Sequence, residues 1–256
     1  MTPGKDRPRC IPADARQENG YRQALGAERA DLLLTDPPYC LLTRRRKGGD
    51  LRDPKHRKID RDPVLRFESV RDYRTFTADW LGAAARWVKP QAIWIIWTNF
   101  LGKPAILEAA SALGYAQLWG EFVWAKKSKE SNGNEQLLRI YEVALVLSRE
   151  PPRPEPMDGA ERPVPWSVIS GYDDEGEGDH WGRHPHHKPH SALETLIRLY
   201  SQPGELVLDP FAGSGSIPAS TIRLGRRAAC IELRPEWAES VSRRLAEISL
   251  SEQSLT

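Results

Sequence analysis

Asp36, Pro37, Pro38 and Tyr39 close an apolar run that begins at Leu32, so that the stretch reads LLLTDPPYC. Three leucines bounded by a Pro-Pro pair fit a buried parallel strand that stops at Asp36. Each proline lacks an N–H and has a fixed φ, so the carbonyls beside it stay outside any ladder and the turn is stiff. The carboxylate, the Pro37 carbonyl and the Tyr39 ring would then converge at the carboxyl edge of a sheet, where open α/β folds bind ligands. A planar base with an exocyclic amine would fit there.

Leu206 to Ser216, LVLDPFAGSGS, is a second stretch with chemical content. A strand ends at Asp209, and a turn holding Gly213 and Gly215 permits close backbone approach. Pro218 is tolerated in the first turn of the helix that follows. Gly225 would close that helix, and the next strand, Ala228 to Ile231, ends at Glu232. An acid about 20 residues past a glycine turn, at the end of the following strand, commonly takes the two hydroxyls of a ribose. A nucleoside-containing cofactor is implied. Pro218 stands where the dinucleotide fingerprint needs its third glycine, so a nicotinamide dinucleotide is not expected.

Apolar patterning predicts seven strands: Arg9 to Ala13, Leu32 to Thr35, Ala92 to Thr98, Glu121 to Ala125, Val143 to Ser148, Leu206 to Asp209, and Ala228 to Glu232. Helical spacing marks Tyr73 to Val88, Lys103 to Leu113 and Ser191 to Tyr200. Strands alternating with helices indicate βαβ units and a largely parallel sheet. Trp94, Trp97, Trp119 and Trp124 fall on predicted strands and read as core and pocket wall rather than as a nucleic-acid stacking platform.

A chain of 256 residues with 39% hydrophobic content can bury a sizeable core, and a net charge of +2 leaves partners to be read from local charge. Arg44 to Arg61 packs nine Lys or Arg against three Asp around Gly48 and Gly49. Following the proposed site directly, it reads as a phosphate-gripping loop, the other reading being a solvated surface loop. Glu150 to Asp179, Pro-rich and then acidic, reads as an extended insertion with little regular structure. Three cysteines without CxxC spacing and an opening without an apolar core point to a reducing, cytoplasmic setting with neither secretion nor membrane insertion. Histidines crowd between His180 and His190, but no cysteine or paired acid motif completes a ligand set, so no metal is expected.

Together these stretches resemble the S-adenosylmethionine-dependent amino-group DNA methyltransferases in their circularly permuted, beta-class arrangement, over nearly the whole chain. Thr35 to Tyr39 looks like the catalytic motif and Asp209 to Gly215 like the cofactor loop. His184-Pro185-His186-His187-Lys188-Pro189 is similar to the element that precedes the cofactor strand, while Phe122 to Lys126 and Tyr141 to Leu145 look like later strands. Ser216-Ile217 departs from the pair of threonines more usual there. The resemblance implies a Rossmann-like three-layer α/β fold with a seven-stranded, mostly parallel sheet in the order 3-2-1-4-5-7-6. In that order the first strand here is strand 3, the Asp36 strand is strand 4, and the last two are strands 1 and 2. Strands 1 and 4 adjoin, so both motifs open on one crevice.

What the resemblance implies for function follows. Asp36, Pro37, Pro38 and Tyr39 would carry methyl transfer to an amine of a flipped base. Asp14, Asp36, Lys188, Asp209, Phe211, Ala212, Gly213, Ser214, Gly215, Ser216 and Glu232 would hold S-adenosyl-L-methionine, with Asp14 at the adenine, Glu232 at the ribose and Lys188 orienting the loop beneath the methionine end. Phe211 as plain core is the other reading. Arg44, Arg45, Arg46, Lys47, Lys55, Arg57 and Lys58 would meet double-stranded DNA. The whole of 1–256 is expected as one catalytic domain, with a basic DNA-contact loop at 44–63 and a small insertion at 150–183 that would serve target recognition. A restriction endonuclease partner and a homodimer are compatible with this reading. Asp at the head of DPPY goes with adenine N6; cytosine N4 is the alternative, and a DNA-binding regulator with a vestigial cofactor fold the more distant one.

Overall fold

The computed structural model describes residues 9–43, 65–129, 135–152, 166–172 and 188–253. Eight strands form one sheet: β1 Cys10–Pro12, β2 Ala30–Thr35, β3 Val88–Thr98, β4 Gln117–Lys129, β5 Glu135–Ser148, β6 Trp166–Tyr172, β7 Leu206–Asp209 and β8 Arg227–Glu232. Their lateral order is β1-β8-β7-β2-β3-β5-β4-β6. β5 runs antiparallel to β3 and β4, and the other pairs are parallel.

The first seven places follow the expected order, and the eighth is a correction. Composition suggests a nearly structureless insertion after Glu150, yet Trp166–Tyr172 pairs parallel with β4 from Glu121↔Trp166 to Lys127↔Tyr172. WSVISGY carries β-branched and aromatic residues suited to a strand, but its Pro-rich and acidic flanks dominate the reading of the segment. The rest of that insertion from 153, and the basic stretch at 44–63 with all seven of its proposed DNA-contact residues, lie outside the described residues.

Both faces of the sheet are covered, which explains strands apolar on successive residues rather than alternate ones. On one face Leu33, Trp94, Ile96 and Leu208 pack under α1 Glu18–Leu25, α2 Val70–Ala85 and α3 Lys103–Ala112. On the other, Leu32, Leu34, Ile95, Trp97 and Val207 pack under α4 His190–Tyr200, while α5 Ser216–Arg223 and α6 Pro235–Gln253 share a cluster with β1 and β8. Leu32, Leu33 and Leu34 are each fully buried. Each contributes about 1.5–3 kcal/mol of transfer free energy, so β2 anchors the sheet where the DPPY turn begins.

Helix α2 starts three residues before the predicted Tyr73 because a capping box sets its first turn. The Ser69 hydroxyl accepts from the Asp72 N–H at 3.2 Å, and the Asp72 carboxylate accepts from the Ser69 N–H at 3.0 Å. It stops at Ala85, and β3 begins at Val88, earlier than Ala92, because the strand runs through Lys89-Pro90. Helix α1, whose N-cap Gln17 makes no side-chain cap bond, is an addition to the predicted elements. Among the described residues no helix is long and apolar enough to cross a membrane.

Candidate active site

Strands β2 and β7 lie side by side, with Leu32 opposite Val207 and Leu33 opposite Leu208, so the two chemical stretches leave the sheet at adjacent points. The chain after β2 leads to α2 on one face and that after β7 to α5 on the other, so the turns diverge and open a crevice. A hydrogen bond from the Thr35 hydroxyl to Asp209 Oδ1, at 2.7 Å, ties the two lips beneath that opening. Two backbone bonds extend the line sideways: Ala212 N–H to the Ile231 carbonyl at 2.9 Å, and Ala13 N–H to the Glu232 carbonyl at 3.0 Å. Asp14, Glu232, Phe211 and Asp36 thereby face one cavity of about 730 Å³.

The glycine loop is held by its neighbours' polar groups. Glu232 accepts from the Gly213 N–H at 2.9 Å through one carboxylate oxygen and from the Arg234 N–H at 3.0 Å through the other. A carboxylate has about four lone-pair sites, so both oxygens keep capacity for further donors. Ala212, Gly213, Ser214 and Ser216 also line the cavity, and Arg244, buried beneath the loop, donates to the Ser214 carbonyl at 3.0 Å. Phe211 stands between core and cavity. It is half-buried, lies 5.2 Å edge-on to Trp80 and 6.0 Å from Phe76, and still lines the cavity.

Gly215 does not line the cavity; it caps α5 from the left-handed region, at φ 78°. A Cβ there would stand 3.0 Å from Val241 Cγ1. Gly215→Ala is expected to lower stability by about 1–3 kcal/mol, read as a reduced urea midpoint with unchanged slope.

Asp209 also lies outside the cavity wall. Its Oδ1 accepts from Thr35 and from the Phe211 N–H at 3.1 Å, while Oδ2 is buried without a partner. Burial pushes this carboxyl up to about 7, against the hydrogen bonds from Thr35 and Phe211 that favour the charged form. Because the folded value is raised, the folded chain holds a proton that the unfolded chain releases near pH 4, and stability falls as pH rises from there to about 7. A shift of this size corresponds to about 4 kcal/mol at most. Asp209→Asn should remove that slope, so urea midpoints taken between pH 4.5 and 7.5 should fall for the wild type and change less for the variant.

Asp14, proposed for the adenine, carries a local partner. Arg16 grips its carboxylate with Nη2 at 2.6 Å and Nε at 3.0 Å, and the Arg16 N–H adds a bond at 2.9 Å. The Arg16 side chain holds the carboxyl below its usual range. A ligand at Asp14 therefore meets a carboxylate already shared.

Lys188 occupies a different place from the one its motif suggests. Its backbone N–H reaches the Ser216 hydroxyl at 3.3 Å, but its ammonium turns away from the loop to Asp36 Oδ2 at 2.6 Å, Glu142 Oε2 at 2.7 Å and the Tyr39 hydroxyl at 3.2 Å. The ammonium lies 4.8 Å from the Trp97 ring centre and 5.8 Å from that of Trp124, which wall the charge on its apolar side. Burial disfavours this charge, yet Asp36 and Glu142 outweigh it and raise Lys188 above the ordinary lysine value. The Tyr39 hydroxyl donates to Glu142 at 2.7 Å, and burial followed by the two carboxylate charges holds the phenol well above its ordinary value. Its ring is half-buried and lines the cavity with Pro37 and Pro38.

Asp36 Oδ1 is buried and has no hydrogen-bond partner. Its sister oxygen is fixed by Lys188. A buried carboxylate oxygen left unpaired is unfavourable, so this atom has the capacity to accept a hydrogen bond from a further donor.

Glu142 and Phe76 were not among the sequence candidates. Glu142 could have been found as the lone acid in the strand run YEVALVLS; Phe76 carries no such signal, being one more apolar position of α2. The histidines from His180 to His187 lie outside the described residues; His190 bonds the Ser220 hydroxyl at 2.8 Å through Nδ1.

Comparison with known proteins gives the geometry its context. YubD of Escherichia coli (strain K12) is 27% identical over 230 residues, 87% of this chain and 85% of that one. The type II methyltransferase M.HinfI of Haemophilus influenzae is 27% identical over 244 residues, 86% of this chain but 64% of that one, so the chain spans under two thirds of its length. In structure the chain is similar to the M1.HpyAVI-SAM complex, with a TM-score of 0.64 at 18% identity over 93% of this chain and 98% of that one. The PvuII DNA methyltransferase (cytosine-N4-specific) gives 0.64 at 16% identity over 93% and 88%. These two likenesses are of fold. The sequence model of the DNA methylases, N6_N4_Mtase, matches residues 30–243, which takes in both lips of the cavity and most of the sheet. The chain belongs to the N6_N4_Mtase family of DNA methylases.

Proposed function

We propose that this chain transfers a methyl group from S-adenosyl-L-methionine to the N6 amine of adenine in double-stranded DNA, in the permuted arrangement of the beta class. The observation that carries the reading is Asp36, which lines the cavity together with Glu232 and the glycine loop and whose Oδ1 is a buried acceptor without a partner. A volume of about 730 Å³ lies within the range of about 300–1,000 Å³ usual for cofactor-sized ligands. Glu232, with spare lone pairs, would take the ribose; Phe211 would pack against the nucleoside; Gly213 and Ser214 would lie under the methionine end. When bound, the donor supplies an electrophilic methyl on a positively charged sulfur.

The remaining work belongs to the chain's own residues. An exocyclic amine is a poor nucleophile because its lone pair is delocalised into the ring. Asp36 and the Pro37 carbonyl, each accepting one N–H, favour a nitrogen geometry with a localised lone pair. The carboxylate also opposes the positive charge that develops on nitrogen. Tyr39 offers its ring to a base flipped from the duplex.

Basic residues at 44–63 would grip the backbone. The flanks of that stretch are joined at the cavity rim, where Phe67 N–H bonds the Leu41 carbonyl at 2.9 Å and Thr43 N–H bonds the Phe67 carbonyl at 2.9 Å. Cytosine N4 is the second reading, because the same two acceptors fit its amine. Incubation with labelled S-adenosylmethionine and unmethylated DNA, then nucleoside mass analysis, decides between them. N6-methyladenine is expected; N4-methylcytosine would give the second reading, and no incorporation would reject both.

A further inference from the structure

An ammonium has three N–H donors, and at Lys188 all three are directed at named acceptors: Asp36 Oδ2, Glu142 Oε2 and the Tyr39 hydroxyl. The three acceptors come from two places, the DPPY turn after β2 and the middle of β5, and the donor from a third, the approach to α4. Without the lysine, Asp36 and Glu142 would face each other across a buried space with like charges. Both side chains are nearly buried, at 12% and 9% exposure, so water would do little to screen them.

We propose that Lys188 is a positioning residue for methyl transfer, which fixes the carboxylate of Asp36 so that Oδ1 alone meets the amine and which sets one positive charge between the carboxylates of Asp36 and Glu142. The inference rests on the transfer reading above and deepens it. Lys188 bonds Asp36 Oδ2 and thereby sets the rotation of the carboxylate. It bonds Tyr39 through the hydroxyl, as does Glu142, and thereby sets the plane of the ring that would stack on the base. The formal charges of Asp36, Glu142 and Lys188 leave one excess negative charge, which complements the cationic character of the reacting pair. In the transfer, the amine lone pair forms the new N–C bond as the C–S bond breaks and its electron pair stays on sulfur. The methylated nitrogen then releases a proton. That proton passes to water or buffer after the transfer. Tyr73 and Asp209 are the other described titratable groups whose electrostatic influence is coupled to Asp36.

The test uses the full chain and four proteins: wild type, Lys188→Met, Glu142→Gln and the double variant. Turnover is measured from pH 5.5 to 9, and S-adenosylmethionine affinity by calorimetry. In Lys188→Met the acid limb of kcat should rise by about one to three pH units, because Asp36 loses an opposite charge and keeps a like one. Donor affinity should stay within about threefold, since the ammonium does not touch the loop. Adding Glu142→Gln should move the limb back by about a unit and recover turnover about tenfold, an interaction that merely structural damage would not produce. Glu142→Gln alone should stay within about tenfold of wild type, because Lys188 still holds Asp36. If Lys188→Met does not fold, the single Glu142→Gln decides: turnover lost as completely as in Asp36→Ala would place Glu142 among the reacting groups and overturn the assignment. An unmoved acid limb in Lys188→Met, or a tenfold loss of donor affinity with the limb in place, would overturn it too. Absence of transfer by the wild type at every pH would instead reject the proposed function itself.

Discussion

Asp36→Ala will bind its methyl donor and fail to use it. The substitution removes a buried acceptor without a protein partner from a residue that lines the cavity, and with it the negative charge set against the cation that forms on nitrogen. Loss of a single preorganised electrostatic group of this kind costs about 10²–10³ in turnover, and here the oriented hydrogen bond is lost as well, so a drop of about 10³ or more is expected. Donor affinity should remain within about threefold, since Glu232, Phe211 and the glycine loop sit on other strands. The fold should persist, because Lys188 keeps Glu142 and Tyr39 as partners, at 2.7 and 3.2 Å. Single-turnover incorporation with calorimetric binding on the same preparation gives both quantities. Asp36→Asn should fall between: it keeps an acceptor oxygen and loses the charge. Turnover near wild type in Asp36→Ala would falsify the assigned role outright.

The contrast between what the residues disclosed and what they hid follows from how local each signal is. DPPY and the FAGSG loop are legible because proline and glycine constrain the backbone wherever they stand. The pairing of β2 with β7 is implied by the family's strand order and not by the local sequence, since no short window relates residues 32 and 207. The start of α2 differs from apolar periodicity by a few residues because one cap, Ser69 with Asp72, decides it. β6 is hard to read locally because its neighbours' composition outweighs seven residues of strand character. Lys188 is legible as a motif residue, whereas the partners of its ammonium are not. The motif fixes its place in the chain, whereas the direction of a long side chain is set by two carboxylates brought in from residues 36 and 142.

Glu232→Ala is expected to do the reverse of Asp36→Ala: donor binding collapses while chemistry, at a saturating donor, survives. Glu232 has two duties. It holds the Gly213 and Arg234 N–H groups that shape the loop, and in the proposed reading it takes the ribose hydroxyls. Hydrogen bonds to a charged group are worth about 1.5–3 kcal/mol each, so losing the ribose contacts and loosening the loop together should raise Kd by about 10²-fold or more. Glu232→Gln keeps one acceptor oxygen and loses the charge, so one of the Gly213 and Arg234 N–H groups is left without its acceptor, and it should cost at least about tenfold. Titration of S-adenosylmethionine by calorimetry measures the affinity, and transfer at saturating donor should come within about tenfold of wild type in both variants, because Asp36, Lys188 and Tyr39 are untouched. A Kd unchanged in Glu232→Ala would mean that the donor sits elsewhere than beside the glycine loop. The two variants divide the cavity along the line between β7 and β2, since each should spare the quantity that the other destroys.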